Sequence, residues 1–158
     1  SRPLTLQYVE TGLRAAAEEA LAAAGKALDL SGIKISFSED AALKTLQAAR
    51  VRRVSALEQV FLNAGEAMPG GGEIRIAVKN DREGGQTIEI TDTGGGIEPK
   101  NLSTVFHPFF TTRSGKMGLG LALAKNIIKA HGGSIKISSS PGKGTVVRVA
   151  LPSRSVKG

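Results

Sequence analysis

Residues 86–97 read Gln-Thr-Ile-Glu-Ile-Thr-Asp-Thr-Gly-Gly-Gly-Ile. Ile88 and Ile90 alternate with polar residues, which is the pattern of a half-buried strand. The strand ends at Asp92 and runs into Gly94, Gly95 and Gly96. A carboxylate at a strand end accepts hydrogen bonds from an exocyclic amine such as that of adenine, and glycines let backbone come close to a ligand. Asp-x-Gly is also ordinary turn chemistry, so the stretch has to be read with its neighbours.

Immediately upstream, Ile74, Ile76 and Val78 alternate, so residues 73–92 are expected to form a β-hairpin with its loop at Asn80–Gln86. Residues 51–68 carry Leu57, Phe61, Ala64 and Met68 on one helical stripe, stopped by Pro69-Gly70-Gly71-Gly72. Residues 11–28 give another helix, with Leu13, Ala17, Leu21 and Leu28 in step and Thr11 as its expected cap. Ile33, Ile35 and Phe37 alternate as a strand. Downstream, Glu98-Pro99 opens a short helix. Residues 119–130 give a third main helix with Leu119, Leu123, Ile127 and Ile128 on a common face, closed by His131-Gly132-Gly133. Ile135 and Ile137, a Ser138–Gly144 turn, and Val147, Val149 and Leu151 make a final hairpin. This order predicts an α+β, two-layer α/β sandwich with a mixed sheet and helices on one face, in one domain over residues 1–158.

Composition narrows the chemistry. The 158 residues are 41% apolar with no Trp, so the core must be built from Leu, Ile, Val, Ala and a few Phe. The absence of Cys excludes disulfides, thiolate nucleophiles and Cys-based zinc sites, and His107 and His131 are too far apart in sequence to suggest a metal site. The net charge of +7 suits anionic partners or a soluble basic surface. A nucleic-acid binder is disfavoured, because the charges are scattered and base-stacking aromatics are few. No apolar run reaches the ~20 residues of a membrane span. Ser1-Arg2-Pro3 lacks a signal-peptide layout, so a fragment of a longer cytosolic protein is expected.

Three further segments carry candidate chemistry. Gln59 and Asn63, one turn apart on the 51–68 helix, are neutral amide oxygen donors of the kind Mg²⁺ tolerates. Gly115-Lys116-Met117-Gly118-Leu119-Gly120-Leu121 precedes a helix whose first N–H groups attract anions, with Arg113 and Lys116 adding positive charge. It lacks the layout of a P-loop or a dinucleotide fingerprint. Gly142-Lys143-Gly144-Thr145 enters the last strand, and the Thr145 hydroxyl could donate to a ring nitrogen.

Taken in order, these segments resemble the ATP-binding catalytic domain of sensor histidine kinases, within the Bergerat-type fold family shared with gyrase and MutL. Residues 63–68 look like its N box, 92–97 its first glycine box, 106–113 its F box, 118–121 its second glycine box and 142–145 its closing glycine motif. The resemblance is sharpest over residues 55–152. It implies that Asn63, with Gln59 a second candidate, coordinates a Mg²⁺ bridging the phosphates of ATP. It implies that Asp92 accepts from the adenine amine, that Gly94, Gly96 and Ile97 shape the pocket, and that Thr145 touches the base or a water. The backbone of Gly118, Leu119 and Gly120 would meet phosphate. Residues 107–117 would be a short mobile lid, anchored by Phe106 and Phe109, as in the nitrogen-regulation subgroup. Many relatives carry Asn where Gln59 stands and a basic residue where Glu66 stands, so Arg113 or Lys116 is expected to supply the missing phosphate contact.

The implied activity is transfer of the γ-phosphoryl group of ATP to a histidine on a separate dimerisation domain, absent from this chain, with a response regulator downstream. Neither His107 nor His131 is followed by the acidic residue and Pro of an acceptor helix. The isolated chain is therefore expected to be a monomer that binds ATP and turns it over poorly. Its parent is expected to be a homodimer, membrane-anchored in some cases, with this domain cytoplasmic and touching no membrane or nucleic acid. An ATP hydrolase of the gyrase–MutL kind would need Glu where Gln59 stands, and Glu58 is rotated ~100° away. A serine-directed anti-sigma kinase usually lacks the F box. The alternative from another class is a nucleotide-binding regulatory module without phosphotransfer.

Overall fold

The computed structural model describes residues 8–40, 46–107 and 120–153. The elements in chain order are β1 (Tyr8–Thr11), α1 (Leu13–Ala27), β2 (Ile33–Glu39), β3 (Leu46–Ala49), α2 (Arg50–Glu66), β4 (Gly72–Asn80), β5 (Gln86–Asp92), α3 (Pro99–Leu102), α4 (Gly120–Ala130), β6 (Ser134–Ser139) and β7 (Thr145–Leu151). The main sheet has five strands in the order β2-β4-β5-β7-β6, and β1 pairs with β3 as a separate ribbon. Among the described strands only the β2–β4 pairing is parallel, so the sheet is mixed, in keeping with the α+β reading.

The core follows from the two periodicities. Ile74, Ile76, Val78, Ile88, Ile90, Val147, Val149 and Leu151 all point to one face of the sheet and are buried. Against them lie Leu57, Val60, Phe61 and Ala64 of α2, and Leu121, Ala124 and Ile128 of α4. From α1 come Leu13, Ala16, Ala17, Ala20 and Ala24, a line of small side chains that lets this helix lie close beside α2. Burying such side chains contributes roughly 1.5–3 kcal/mol for each large one.

Several expectations are corrected. On α4 the buried line is Leu121, Ala124 and Ile128, while Leu123 is 47% exposed. This helix is apolar on overlapping faces, and packing chose the i, i+3, i+7 line over the one through Leu123. Ile35 lies on the edge strand β2 and stays 37% exposed. Leu28 is not helical: it is the extended cap residue after α1, donating its N–H to the Ala24 carbonyl at 2.9 Å. The β1–β3 ribbon was not foreseen. Its Tyr8↔Ala49 to Thr11↔Leu46 register joins short segments far apart in the chain, and no local pattern announces such a pairing. Arg53 takes a place in the α2 stripe with 1% exposure, where an apolar residue would be anticipated.

The start of α1 is also built differently. Its N-cap is Gly12, with no side-chain cap, and Thr11 belongs to β1. The N–H of Leu13 instead donates to Oε1 of Gln86, at 2.9 Å and 73 residues away. A helix leaves its first N–H groups without internal partners, and this one is satisfied by a fully buried amide at the start of β5. Gln86→Leu is therefore expected to lower stability by about 1–3 kcal/mol, measured by denaturant unfolding. An unchanged midpoint would remove this capping role.

The turns are fixed by short polar side chains. Oδ1 of Asp81 accepts from the N–H groups of Glu83 and Gly85 at 2.9 and 2.8 Å, closing the β4–β5 hairpin. The Ser31 hydroxyl and backbone N–H hold the Asp29 carboxyl below the usual carboxylate range.

Candidate functional site

β5 ends at Asp92, whose side chain is 5% exposed. One carboxylate oxygen accepts from the Gly94 N–H at 2.8 Å, turning the chain out of the strand. Thr93 ties this turn to its surroundings. Its Oγ1 accepts from the Glu73 N–H at 3.0 Å and contacts Met68 Sδ at 3.4 Å. Gly94 lies against the end of α2: a Cβ there would stand 2.7 Å from that of Ala67. Gly96 has φ +76, and a Cβ on it would run into the Ser140 carbonyl oxygen. Gly95 and Gly96 thus lie directly against the β6–β7 turn, with the Gly142 N–H donating to the Gly95 carbonyl at 2.8 Å. A side chain at Gly96 would push the two loops apart, whereas a Cβ at Gly95 would meet open space.

The register places a row of polar residues across three neighbouring strands. Asp92 on β5 faces Thr145 on β7, and Thr145 faces Ser139 on β6. Thr145 is 4% exposed. Ser139 Oγ receives the Ile97 N–H at 2.7 Å and lies 2.9 Å from Thr145 Oγ1. Ile97 itself packs against the core.

The amides on α2 fall beside this row. The Ala67 N–H donates to the Asn63 carbonyl, so Asn63 is one turn back from the residue that touches Gly94. Another turn back, Gln59 lies against the first residue of α4. A Cβ on Gly120 would stand 2.8 Å from Gln59 Oε1. Asn63 therefore sits along the helix between the glycine turn and the α4 start, with each helical turn spanning about 5.4 Å. Asn63 and Gln59 are both half-buried, and so is Glu66. The structure thus brings Asn63, Gln59, Asp92, Gly94, Gly96, Ile97, Gly120 and Thr145 to one end of the α/β layers. Arg113, Lys116, Gly118 and Leu119, with most of the expected lid and Phe109, lie outside the described residues. Phe106 packs on the core with the Lys125 ammonium 4.8 Å from its ring centroid.

Among the described residues, no group of three or more His, Asp or Glu could hold a metal. His131 is 7% exposed, and its Nδ1 donates to the Ile127 carbonyl at 2.8 Å, capping the end of α4. That fixes it as a structural residue. No helix among the described residues is long and apolar enough to cross a membrane.

The pattern of the histidine kinase-, DNA gyrase B- and HSP90-like ATPase family matches residues 48–155, the span that contains the whole polar row and both amides. The chain belongs to that ATPase family. It is 40% identical over 120 residues to the sensor histidine kinase ZraS of Salmonella typhimurium, covering 76% of this chain and 26% of that protein. It is 35% identical over 152 residues to the histidine-protein kinase AtoS of Escherichia coli, covering 96% of this chain and 25% of AtoS. It therefore spans about a quarter of the length of these relatives. The catalytic domain of histidine kinase ThkA shares its fold with a TM-score of 0.79 at 26% identity, over 93% of this chain and 96% of that one. Within this ATPase-family fold, Ser139 was the residue the sequence did not single out. It stands in a Ser138-Ser139-Ser140 run, and only the register with Thr145 distinguishes it.

Proposed function

We propose that this chain binds Mg-ATP at the Asp92 end of the sheet and transfers its γ-phosphoryl group to a histidine on a separate dimerisation domain of the same parent protein. The observation that carries the reading is the buried Asp92 carboxylate, held by Gly94 where β5 meets the glycine turn, in a chain of this ATPase family. A buried carboxylate at such a place is suited to the amine of an adenine, and Ile97 and the glycines give the ring a flat, close-fitting wall.

The triphosphate then runs along α2 toward α4. Asn63 and Gln59 offer neutral oxygens there, which fits a Mg²⁺ that keeps waters and binds mainly through phosphate. Bound there, the ion would neutralise charge on the phosphates and hold them in line for transfer. The backbone at Gly120 faces the phosphates with the positive end of α4. Arg113 and Lys116 are assigned the remaining charge contacts, in place of a basic residue at Glu66. The chain supplies positioning and charge stabilisation, while the histidine nucleophile comes from the partner domain. The cytoplasm is the compartment that supplies ATP, and a response regulator is the expected acceptor downstream.

The test is labelling with γ-³²P-ATP, using the chain together with the parent's histidine-bearing domain. Acid-labile label on that domain is expected, and Asn63→Ala should reduce it strongly while leaving metal-free ADP binding in place. Nucleotide binding with no label on the domain would favour a regulatory module instead.

A further inference from the structure

We propose that Ser139 is a positioning residue that sets the polarity of the Thr145 hydroxyl, and through it the preference of this site for a 6-amino over a 6-oxo purine. The inference rests on Asp92 receiving the base, as proposed above, with Thr145 opposite it on the neighbouring strand.

The argument is an accounting of protons. Ser139 Oγ lies 2.7 Å from the Ile97 N, 2.8 Å from the Gly144 carbonyl oxygen and 2.9 Å from Thr145 Oγ1. The Ile97 N–H can only donate, and the Gly144 carbonyl can only accept. A serine hydroxyl has one proton and two lone pairs. Its proton must therefore go to Gly144, and one lone pair is taken by Ile97. The 2.9 Å contact with Thr145 is then a bond only if Thr145 donates. The Thr145 proton is committed to Ser139, so toward a ligand this hydroxyl presents lone pairs. That is the opposite polarity to the donor role its sequence position suggests.

The arrangement has little room to relax. Gly144 has φ +75, and a Cβ there would strike the Asp92 carbonyl oxygen, so its own carbonyl is fixed in direction. Gly144 and Thr145 are both buried. The carboxylate of Asp92, directly across from Thr145, likewise presents acceptor oxygens, one of which takes the Gly94 N–H. Two acceptors side by side match the two protons of a 6-amino group, or one proton and a bridging water. A 6-oxo purine sets its own carbonyl lone pairs against them. Rejection of this kind comes from a polar group left mispaired in a buried site.

Calorimetric titration of the full chain with ADP and with IDP, which differ at the 6-position and in the N1 proton that a 6-oxo purine carries, tests the idea. Wild type is expected to prefer ADP. In Ser139→Ala the Thr145 proton is released to turn toward a 6-oxo group, and the ADP/IDP preference should fall about tenfold. Ser139→Thr, which keeps the hydroxyl, should restore most of it. In a Thr145→Val background, adding Ser139→Ala should leave the ratio where Thr145→Val alone puts it. Thr145→Val itself gives the answer should the Ser139 variant not fold. Loss of an acceptor facing the 6-position lowers the ADP/IDP ratio and weakens 1-deaza-ADP, which lacks the N1 acceptor, as much as ADP. Loss of a donor to N1 also lowers the ratio but spares the 1-deaza analogue, and loss of a donor to the 6-position raises it. A wild type that binds ADP, with a ratio unmoved by Ser139→Ala or raised by Thr145→Val, or a Thr145→Val that spares 1-deaza-ADP, overturns the proposal. A wild type that binds neither nucleotide overturns the reading of the site beneath it.

Discussion

Asp92→Asn is expected to weaken ADP binding roughly 10- to 150-fold, the effect of losing a hydrogen bond to a charged group worth about 1.5–3 kcal/mol. The change is nearly isosteric. The Asn carbonyl can still accept from the Gly94 N–H that Asp92 holds at 2.8 Å, so the turn should survive. What is lost is the carboxylate oxygen that the proposed site sets against the base amine. Thermal unfolding shows this directly. With ADP about 100-fold above Kd, wild type gains ~2.7 kcal/mol, which raises Tm by roughly 5–10 °C in a chain of this size. The variant at the same ADP concentration should gain about 1 °C if its affinity has fallen a hundredfold. An undiminished shift would mean that the ligand does not touch Asp92.

Gly144→Ala should be among the most damaging of the single-methyl changes. The residue has φ +75, and its new Cβ would meet the carbonyl oxygen of Asp92 and lie 3.3 Å from Thr93 Cα, both backbone atoms that cannot swing aside. The left-handed conformation costs a non-glycine residue about 1–2 kcal/mol, and overpacking typically adds about 1–3 kcal/mol. A loss of about 2–5 kcal/mol follows, or roughly 5–15 °C in Tm. Gly142 is the internal control. It has the same φ of +75 but open space where the Cβ would go. Gly142→Ala should cost only the conformational part, about 1–2 kcal/mol. Equal losses in the two variants would contradict the close approach of the β7 entry to Asp92.

The contrast between these glycines shows what can be read without coordinates. Strands β4, β5, β6 and β7 announce themselves by alternation, and α2 by its Leu57–Phe61–Ala64 stripe, because both are local consequences of side-chain direction. Asp92 and the glycines after it were legible for the same reason: a strand that stops in a carboxylate is a local pattern. Three other features depend on contacts between distant segments. Gln86 serves α1 only because β5 passes beneath its first turn. Ser139 matters only because the register sets it opposite Thr145 and the turn brings Ile97 to it. Leu123 is exposed because α4 rolled onto Leu121 and Ile128, a choice left to the packing of α2 and the sheet. Periodicity specifies faces, and the hydrogen-bond partners of buried polar groups come from topology.

The central claim is that nucleotide sits at the Asp92–Thr145 end of the sheet, between the glycine turn and α4. The most direct measurement is the change in backbone amide NMR shifts of the wild-type chain as ADP is added with Mg²⁺. The account predicts the largest changes at Gly94, Ile97, Gly120 and Thr145, with Asn63 responding when the metal is present. The solvent-facing side of the sheet, at Ser36, Arg75 and Glu89, should stay quiet. Changes centred on that outer face, or none anywhere at saturating ADP, would contradict it.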